Sequence, residues 1–149
     1  MSNTFHNLLF HVVFSTKERV KLLSKELRTR LYPYMSSIAN NNDFKVSVIG
    51  GTDDHIHILL SLKPDLSVSK AVQLLKGNSS KWMHDNFTDL NIFSWQGGYG
   101  AFTVSKSQID IIQKYIANQE EHHKKISFEE EYIELLKKNN IDFDPKYLF

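Results

Sequence analysis

The sequence of 149 residues contains no cysteine. This absence excludes disulfide bonds, thiolate zinc sites and cysteine nucleophiles, and it makes an intracellular location the default. Metal ligands must therefore be histidine, aspartate, glutamate or amide side chains. No stretch approaches the about 18 apolar residues of a membrane span, and the N-terminus lacks the cationic start and apolar run of a signal peptide. We therefore expect a soluble, cytoplasmic protein with no membrane partner.

The chain also lacks an excess of either charge, since 18 Lys and Arg face 17 Asp and Glu and give a formal net charge of +1. A whole-molecule field this weak neither requires nor excludes a nucleic-acid partner, so anion binding must come from local clusters. Three lysines of the predicted second helix, Lys70, Lys76 and Lys81, form either a phosphate-contacting face or an ordinary solvated face.

The length, with 41% hydrophobic and 12% aromatic residues, fits a single domain over residues 1–149. A β-rich run from Leu8 to Ser15 predicts the first strand, and a helix follows from Ser24 to about residue 42, kinked or split at Pro33. Residues 44–49 and 55–60 then predict a hairpin.

The second half of the chain predicts a helix from Ser67 or Ser69 through Met83, and a strand over residues 92–104 interrupted by a glycine-rich bend. Two further helices are predicted at about 106–125 and 128–139. The first six elements match the split βαβ arrangement. We therefore expect an α+β fold of the ferredoxin or RRM type, with an antiparallel sheet, two helices on one face and two added C-terminal helices.

The glycine-rich bend carries three aromatic side chains, Trp95, Tyr99 and Phe102. The glycines could permit close approach of a nucleotide, on which these rings would stack. The alternative is a bulged strand whose aromatic residues belong to the core.

Two histidines, His55 and His57, lie on the predicted third strand and must point to the same face, because strand side chains alternate. Their Cα atoms would be roughly 7 Å apart, close enough for two imidazoles to meet on one ion. They are either metal ligands or structural histidines whose ring nitrogens find partners in the core.

The predicted 106–125 helix has an apolar stripe formed by Ile109, Ile112 and Ile116, which should face the sheet. Tyr115 and Gln119 fall on the flank of this stripe, together with His122, and stand about 6 Å apart along the helix axis. A phenol and an amide can reach a shared site from there. The alternatives are a packed tyrosine and a solvated helix end.

The His-hydrophobe-His motif resembles that of the HUH endonucleases, and Tyr115 with Gln119 resembles the helix of their single-tyrosine transposases, specifically the IS200-like insertion-sequence type. The similarity extends over nearly the whole chain. It rests on the segments 10–17, 54–59, 74–77 and 95–99 in addition to the tyrosine helix.

The resemblance implies that His55, His57 and Gln119 bind one divalent ion and that Tyr115 attacks a DNA phosphodiester, leaving a 5′-phosphotyrosine and a free 3′-OH. Imidazole ligands alone favour zinc, whereas an amide oxygen and phosphoryl chemistry favour Mg²⁺ or Mn²⁺, which we expect. The implied substrate is single-stranded DNA with hairpin ends, and the implied assembly is a homodimer with shared active sites. The candidate DNA contacts are Lys17, Arg19, Lys21, Lys70, Lys76 and Lys81.

Two other functions fit the same fold. One is a non-catalytic module that binds nucleic-acid hairpins, and the other is a metal hydrolase that uses the two histidines to activate water. The remaining histidines of interest, His11, His84, His122 and His123, are expected to be structural or exposed rather than ligands.

Overall fold

A four-stranded antiparallel sheet in the order β2-β3-β1-β4 organises residues 2–148, the part of the chain that the computed structural model describes. The two central strands, β1 and β3, are the most apolar, as burial between neighbours on both sides requires. The strands are β1 Leu8–Ser15, β2 Lys45–Gly51, β3 His55–Leu62 and β4 Gly100–Thr103. The helices are α1 Lys25–Asn41, α2 Val68–Asn86, α3 Ile109–Ala117, α4 Gln119–His122 and α5 Phe128–Lys138.

Helices α1 and α2 pack on one face of the sheet, against Val12, Phe14, Ile56 and Ile58. The opposite face of the sheet contacts α3 and α5 through two smaller apolar clusters. The expected split βαβ sheet with two helices on one face is therefore confirmed. In the described part of the chain, no helix is both long and apolar enough to cross a membrane.

The two long helices begin at serine caps, as the sequence predicts. Ser24 Oγ accepts from the Leu27 amide, and Ser67 Oγ accepts from the Lys70 amide. Of the kink or split predicted at Pro33, the split is wrong, because α1 runs through that residue as one helix. Pro33 cannot donate to the carbonyl four residues earlier, but both it and Thr29 are exposed, so water can satisfy that carbonyl.

Two other boundaries differ from those predicted. Residues 92–99 are not a strand, apart from one isolated bridge between Thr16 and Trp95, and only Gly100–Thr103 pairs with β1. The predicted 106–125 helix is divided into a 3₁₀ turn at Lys106–Gln108, then α3, then a break at Asn118 before α4.

The aromatic residues of the glycine-rich segment belong mainly to the core. Trp95 and Phe102 are buried, and Trp95 Nε1 donates to Ser79 Oγ at 3.0 Å. Tyr99 is half-buried. The structure therefore favours the packing interpretation of this segment over base stacking.

Candidate metal centre and tyrosine site

His55 and His57 lie at the centre of the sheet, on a strand that pairs with β1 on one side and with β2 on the other. Their side chains share the face opposite Ile56 and Ile58, as strand alternation predicts, and both histidines are fully buried. Pairing on both sides fixes the backbone from which the two imidazoles project.

The Nδ1 atoms of the two imidazoles have their own partners. His55 Nδ1 donates to Asp54 Oδ1 at 2.7 Å, which leaves the lone pair of a neutral ring on Nε2. His57 Nδ1 lies 2.8 Å from His11 Nε2, and this bond forms with either ring as the donor. His11 thus allows His57 to hold its proton on Nδ1 and to present Nε2 as a ligand. His11 is therefore structural, as expected, and directly orients His57.

Burial lowers the pKa of His57 to about 4 and, together with neighbouring His57, lowers that of His11 to about 3. Both imidazoles are consequently neutral at physiological pH. A neutral imidazole is the form that binds a metal ion.

Tyr115 and Gln119 reach the same face of the sheet because α3 packs on it. The stripe predicted from the sequence is confirmed, since Ile116 is fully buried in a cluster that also includes Ile109 and Ile112. The close approach depends on Gly50, because an added Cβ there would lie 1.9 Å from the Ile116 carbonyl oxygen. Both side chains meet the histidine pair within one chain.

The amide of Gln119 presents its oxygen to the imidazoles. Its Nε2 donates to the Tyr115 carbonyl at 3.3 Å, and its Oε1 lies 3.2 Å from His55 Nε2. With His55 Nδ1 donating to Asp54, these two atoms are both acceptors unless the ring carries a second proton. Two converging acceptors in a buried site fit a divalent cation, and Gln119 is therefore placed as a third ligand would be.

Two residues near the histidine pair were not among the sequence candidates, namely His123 and Glu131. Glu131 Oε1 lies 2.9 Å from His57 Nε2, 2.9 Å from His123 Nε2 and 3.6 Å from His55 Nε2. The ligand atoms of the four residues all lie within 4.8 Å of one another, so the group could hold a metal ion. His123, expected to be structural or exposed, is half-buried and hydrogen-bonded within this group.

The other oxygen of Glu131 accepts a hydrogen bond from the Tyr115 hydroxyl. Burial, followed by the adjacent carboxylate, raises the pKa of Tyr115 well above its usual value. Burial would also raise the pKa of Glu131, but hydrogen bonds with His123, His57 and Tyr115 hold it far below its usual range. The site therefore contains a neutral phenol beside an ionised carboxylate.

The remaining histidines differ in their surroundings. His84 is exposed and its Nε2 donates to the Phe93 carbonyl at 2.7 Å, a structural role as expected. His122 is half-buried, with Nε2 3.3 Å from Glu131 Oε2, and its ring contacts that of Tyr115 edge to face. His122 therefore adds to the polar surroundings of the phenol.

The six candidate DNA-contacting cations divide into two groups. Arg19 and Lys21 line a groove of about 520 Å³ whose walls also include Asp54 and His123. Lys17 is exposed on the same segment of the chain, which connects β1 to α1. The other three lie on α2, behind the sheet as viewed from the histidine pair. The structure therefore does not bring all six to one surface.

The three lysines of α2 also differ from one another. Lys70 is exposed, whereas Lys81 pairs with Asp85 at 3.1 Å. Lys76 Nζ donates to the carbonyls of Gln96 and Gly98, at 2.9 and 2.7 Å. The ammonium of Lys76 is thus bonded to the glycine-rich segment of its own chain.

A split βαβ sheet that carries a histidine pair, with a tyrosine helix on the same face, defines the HUH class of nucleic-acid enzymes that the sequence resembles. Residues 4–119 match the family model described as Transposase IS200 like, so the chain belongs to this family and is a transposase. Transposases of this kind cleave DNA and transfer strands.

Two relatives give the same assignment. The chain is 32% identical over 129 residues to the transposase for insertion sequence element IS200 of Salmonella typhimurium, with 83% of this chain and 84% of that protein covered. It is 31% identical over 119 residues to the ISDra2 transposase TnpA of Deinococcus radiodurans, with 76% and 85% covered.

Solved structures show the same fold. A crystal structure of a protein from Deinococcus radiodurans R1 assigned as a transposase matches with a TM-score of 0.64 and 27% identity, covering 80% of this chain and 95% of that one. A REP-associated tyrosine transposase bound to a REP hairpin matches with a TM-score of 0.54 and 17% identity, covering 78% and 70%. The latter supports the fold alone.

Proposed function

We propose that this transposase cuts and rejoins single-stranded DNA at the ends of an insertion sequence, with Tyr115 as the nucleophile. The observation that carries the proposal is the convergence, within one chain, of the Tyr115 hydroxyl and the buried His55–His57 pair on the carboxylate of Glu131. A phenol, two imidazoles and an amide meet there, while the chain has no cysteine to act instead.

The proposed reaction is a transesterification. The Tyr115 oxygen forms a bond to the phosphorus, the bond from phosphorus to the 3′-oxygen breaks, and the loss of the phenolic proton is balanced by protonation of the released 3′-oxygen, which becomes the 3′-OH. The product is a 5′-phosphotyrosine. Because the phosphodiester energy is kept in the tyrosyl ester, a second 3′-OH can reverse the reaction and join new ends without a nucleotide cofactor.

His55, His57 and Gln119 would hold a divalent ion, for which we propose Mg²⁺ or Mn²⁺. When bound, such an ion polarises the phosphoryl group and stabilises the charge on the leaving oxygen. The chain's own residues prepare the site, since Asp54 and His11 orient the two imidazoles and the Gln119 amide also bonds to the tyrosine helix. A high phenol pKa makes such help necessary at neutral pH.

Substrate recognition is proposed to use both groups of cations. The groove containing Arg19 and Lys21 adjoins His123, so it suits the phosphates of the strand being cut, with Lys17 at its edge. The exposed Lys70 and Lys81 of α2 would contact the backbone of a hairpin. A hairpin substrate is consistent with the REP hairpin bound to the REP-associated tyrosine transposase of the same fold.

A homodimer is proposed as the active assembly, in which the tyrosine helix can serve the partner's histidine site. In the structure the Tyr115 hydroxyl donates to Glu131 of its own chain. The 3₁₀ turn Lys106–Gln108, which is exposed and contains no buried residue, is the connection at which an exchange of the helix would occur.

The test is the formation of a covalent adduct between the protein and a labelled hairpin oligonucleotide with Mn²⁺, separated on a denaturing gel. The wild type and the control variant Tyr147→Phe, which changes an exposed tyrosine, are expected to form the adduct. Tyr115→Phe is expected to form none. Adduct formation by Tyr115→Phe would refute the assignment of the nucleophile.

The same gel separates the other two functions. A non-catalytic hairpin-binding protein would bind the oligonucleotide without cleavage, and its binding would not respond to chelators or to His57→Ala. A metal hydrolase would cleave it with no covalent intermediate and would not need Tyr115.

A further inference from the structure

Glu131 lies outside residues 4–119, which are matched by the family model, and yet it is one of the most buried charged residues of the chain. It is on the inner face of α5, between Phe128 and Tyr132, and its exposed fraction is 1%. An isolated carboxylate is costly to bury, so its position implies compensating positive charge or strong hydrogen bonds.

The nitrogen atoms around Glu131 Oε1 are close enough to it for either imidazole protons or one bound cation to lie between them. His123 Nδ1 donates to the Ile126 carbonyl at 2.9 Å, just as His55 Nδ1 donates to Asp54, so both neutral rings present a lone pair on Nε2. These two lone pairs face Glu131 Oε1, at 2.9 Å for His123 and 3.6 Å for His55. Acceptors at such distances repel each other unless protons or a metal ion lie between them.

The distances also suit a single ion. Histidine and carboxylate ligands lie about 2.0 to 2.2 Å from a bound transition metal, which places neighbouring ligands about 3 to 3.6 Å apart. The contacts of Glu131 Oε1 with the three imidazoles span 2.9 to 3.6 Å. The group therefore needs little rearrangement to bind a divalent cation.

We propose that Glu131 is both a ligand of the metal ion and the positioning residue of Tyr115, with Oε1 on the ion and Oε2 holding the phenol. A single carboxylate would then set the distance between the ion and the attacking oxygen. The positioning half rests on the proposed function of Tyr115, whereas the ligand half does not.

The assignment of Glu131 as a metal ligand can be tested directly by measuring metal binding without DNA. Glu131→Gln keeps the size of the side chain and removes its charge, and Glu134→Gln is the matched control, because Glu134 is exposed one turn further along α5. We expect Mn²⁺ affinity, measured by calorimetry or electron paramagnetic resonance, to fall more than about tenfold in Glu131→Gln only. Equal affinity in wild type and Glu131→Gln would overturn the assignment of Glu131 as a ligand.

The role of Glu131 in positioning Tyr115 is tested by the rate of adduct formation at saturating Mn²⁺. If Glu131 only bound the metal, saturating Mn²⁺ would restore the rate in Glu131→Gln, and that result would overturn the positioning role. We expect instead that the rate stays more than about tenfold below wild type, because the single oxygen of the glutamine amide cannot bind the ion and accept from the Tyr115 hydroxyl at the same time. A rate above wild type would also overturn the role, because it would mean that the carboxylate obstructs the phosphate.

Circular dichroism establishes that Glu131→Gln is folded. If it is not, Glu131→Asp provides the test, because it keeps the charge but shortens the side chain by one methylene. It should retain Mn²⁺ binding better than it retains adduct formation. If wild type binds Mn²⁺ but forms no adduct, the proposed function fails while the metal measurements still decide whether Glu131 is a ligand.

Discussion

Gly50 on β2 faces the carbonyl oxygen of Ile116 on α3 so closely that an added Cβ would lie only 1.9 Å from that oxygen. The tyrosine helix can therefore approach the sheet only because this position has no side chain. The residue that determines the position of Tyr115 thus lies on a different element and carries no functional group.

Substitution Gly50→Ala should displace α3 from the sheet and thereby move Tyr115 away from His55 and His57. A displacement of about 1 Å can cost about a hundredfold in rate, so we expect adduct formation to fall by at least that factor. The sheet should still form, as judged by circular dichroism. The control is Gly77→Ala, since an added Cβ there meets no atom within 4 Å and activity should be unchanged.

Replacement of His11 by Phe should weaken metal binding, although His11 is not a ligand. It removes the partner of His57 Nδ1, which lies 2.8 Å from His11 Nε2. Loss of such a partner typically lowers metal affinity about 10- to 100-fold. Mn²⁺ calorimetry should show this decrease in His11→Phe and no change in His84→Phe, and similar affinities in the two variants would contradict the orienting role.

Substitution Lys21→Ala should reduce the affinity for single-stranded DNA and lower the slope of log affinity against log salt by about one. Lys21 lines the groove beside His123, where the strand is proposed to lie. Fluorescence anisotropy at several salt concentrations measures the slope. Lys45→Ala changes an exposed lysine on β2 and is the control, because it does not line the groove.

Substitution Lys76→Met should lower the free energy of unfolding by about 1 to 2 kcal/mol, because two hydrogen bonds from a half-buried ammonium are lost. These bonds fasten α2 to the carbonyls of Gln96 and Gly98. Urea denaturation measures the change, with the exposed Lys70→Met as the control. A loss of hairpin affinity with no loss of stability would instead support the phosphate contact suggested by the sequence.

The parts of the site that sequence reasoning located depend on local periodicity. Strand alternation put His55 and His57 on one face, and helical spacing put Tyr115 and Gln119 on the flank of the apolar stripe, and the structure has both arrangements. Such relations need only the regular geometry of one element. The resemblance to a transposase family then supplied the expectation that the histidine pair meets Tyr115 and Gln119 in one site.

The contribution of Glu131 depends on tertiary structure. His123 follows Gln119 at helical spacing, and its amide donates to the Gln119 carbonyl, whereas no local pattern specifies that α5 returns over the histidine pair, where Phe128 stacks on His55. One signal was available, since Glu131 falls at the spacing of Phe128, Tyr132 and Leu135, on the apolar face of its helix. A lone carboxylate in an apolar stripe indicates a buried partner.

Because β3 lies between β1 and β2, the histidine half and the tyrosine half of the site differ in how firmly they are held. His55 and His57 are anchored by a backbone hydrogen-bonded on both sides, while Tyr115 is on a nine-residue helix bounded by a 3₁₀ turn and a break. Regions with few cross-linking hydrogen bonds open first. The histidine half of the site is therefore held more firmly than the tyrosine half, and the helix that carries Tyr115 can move without unfolding of the sheet.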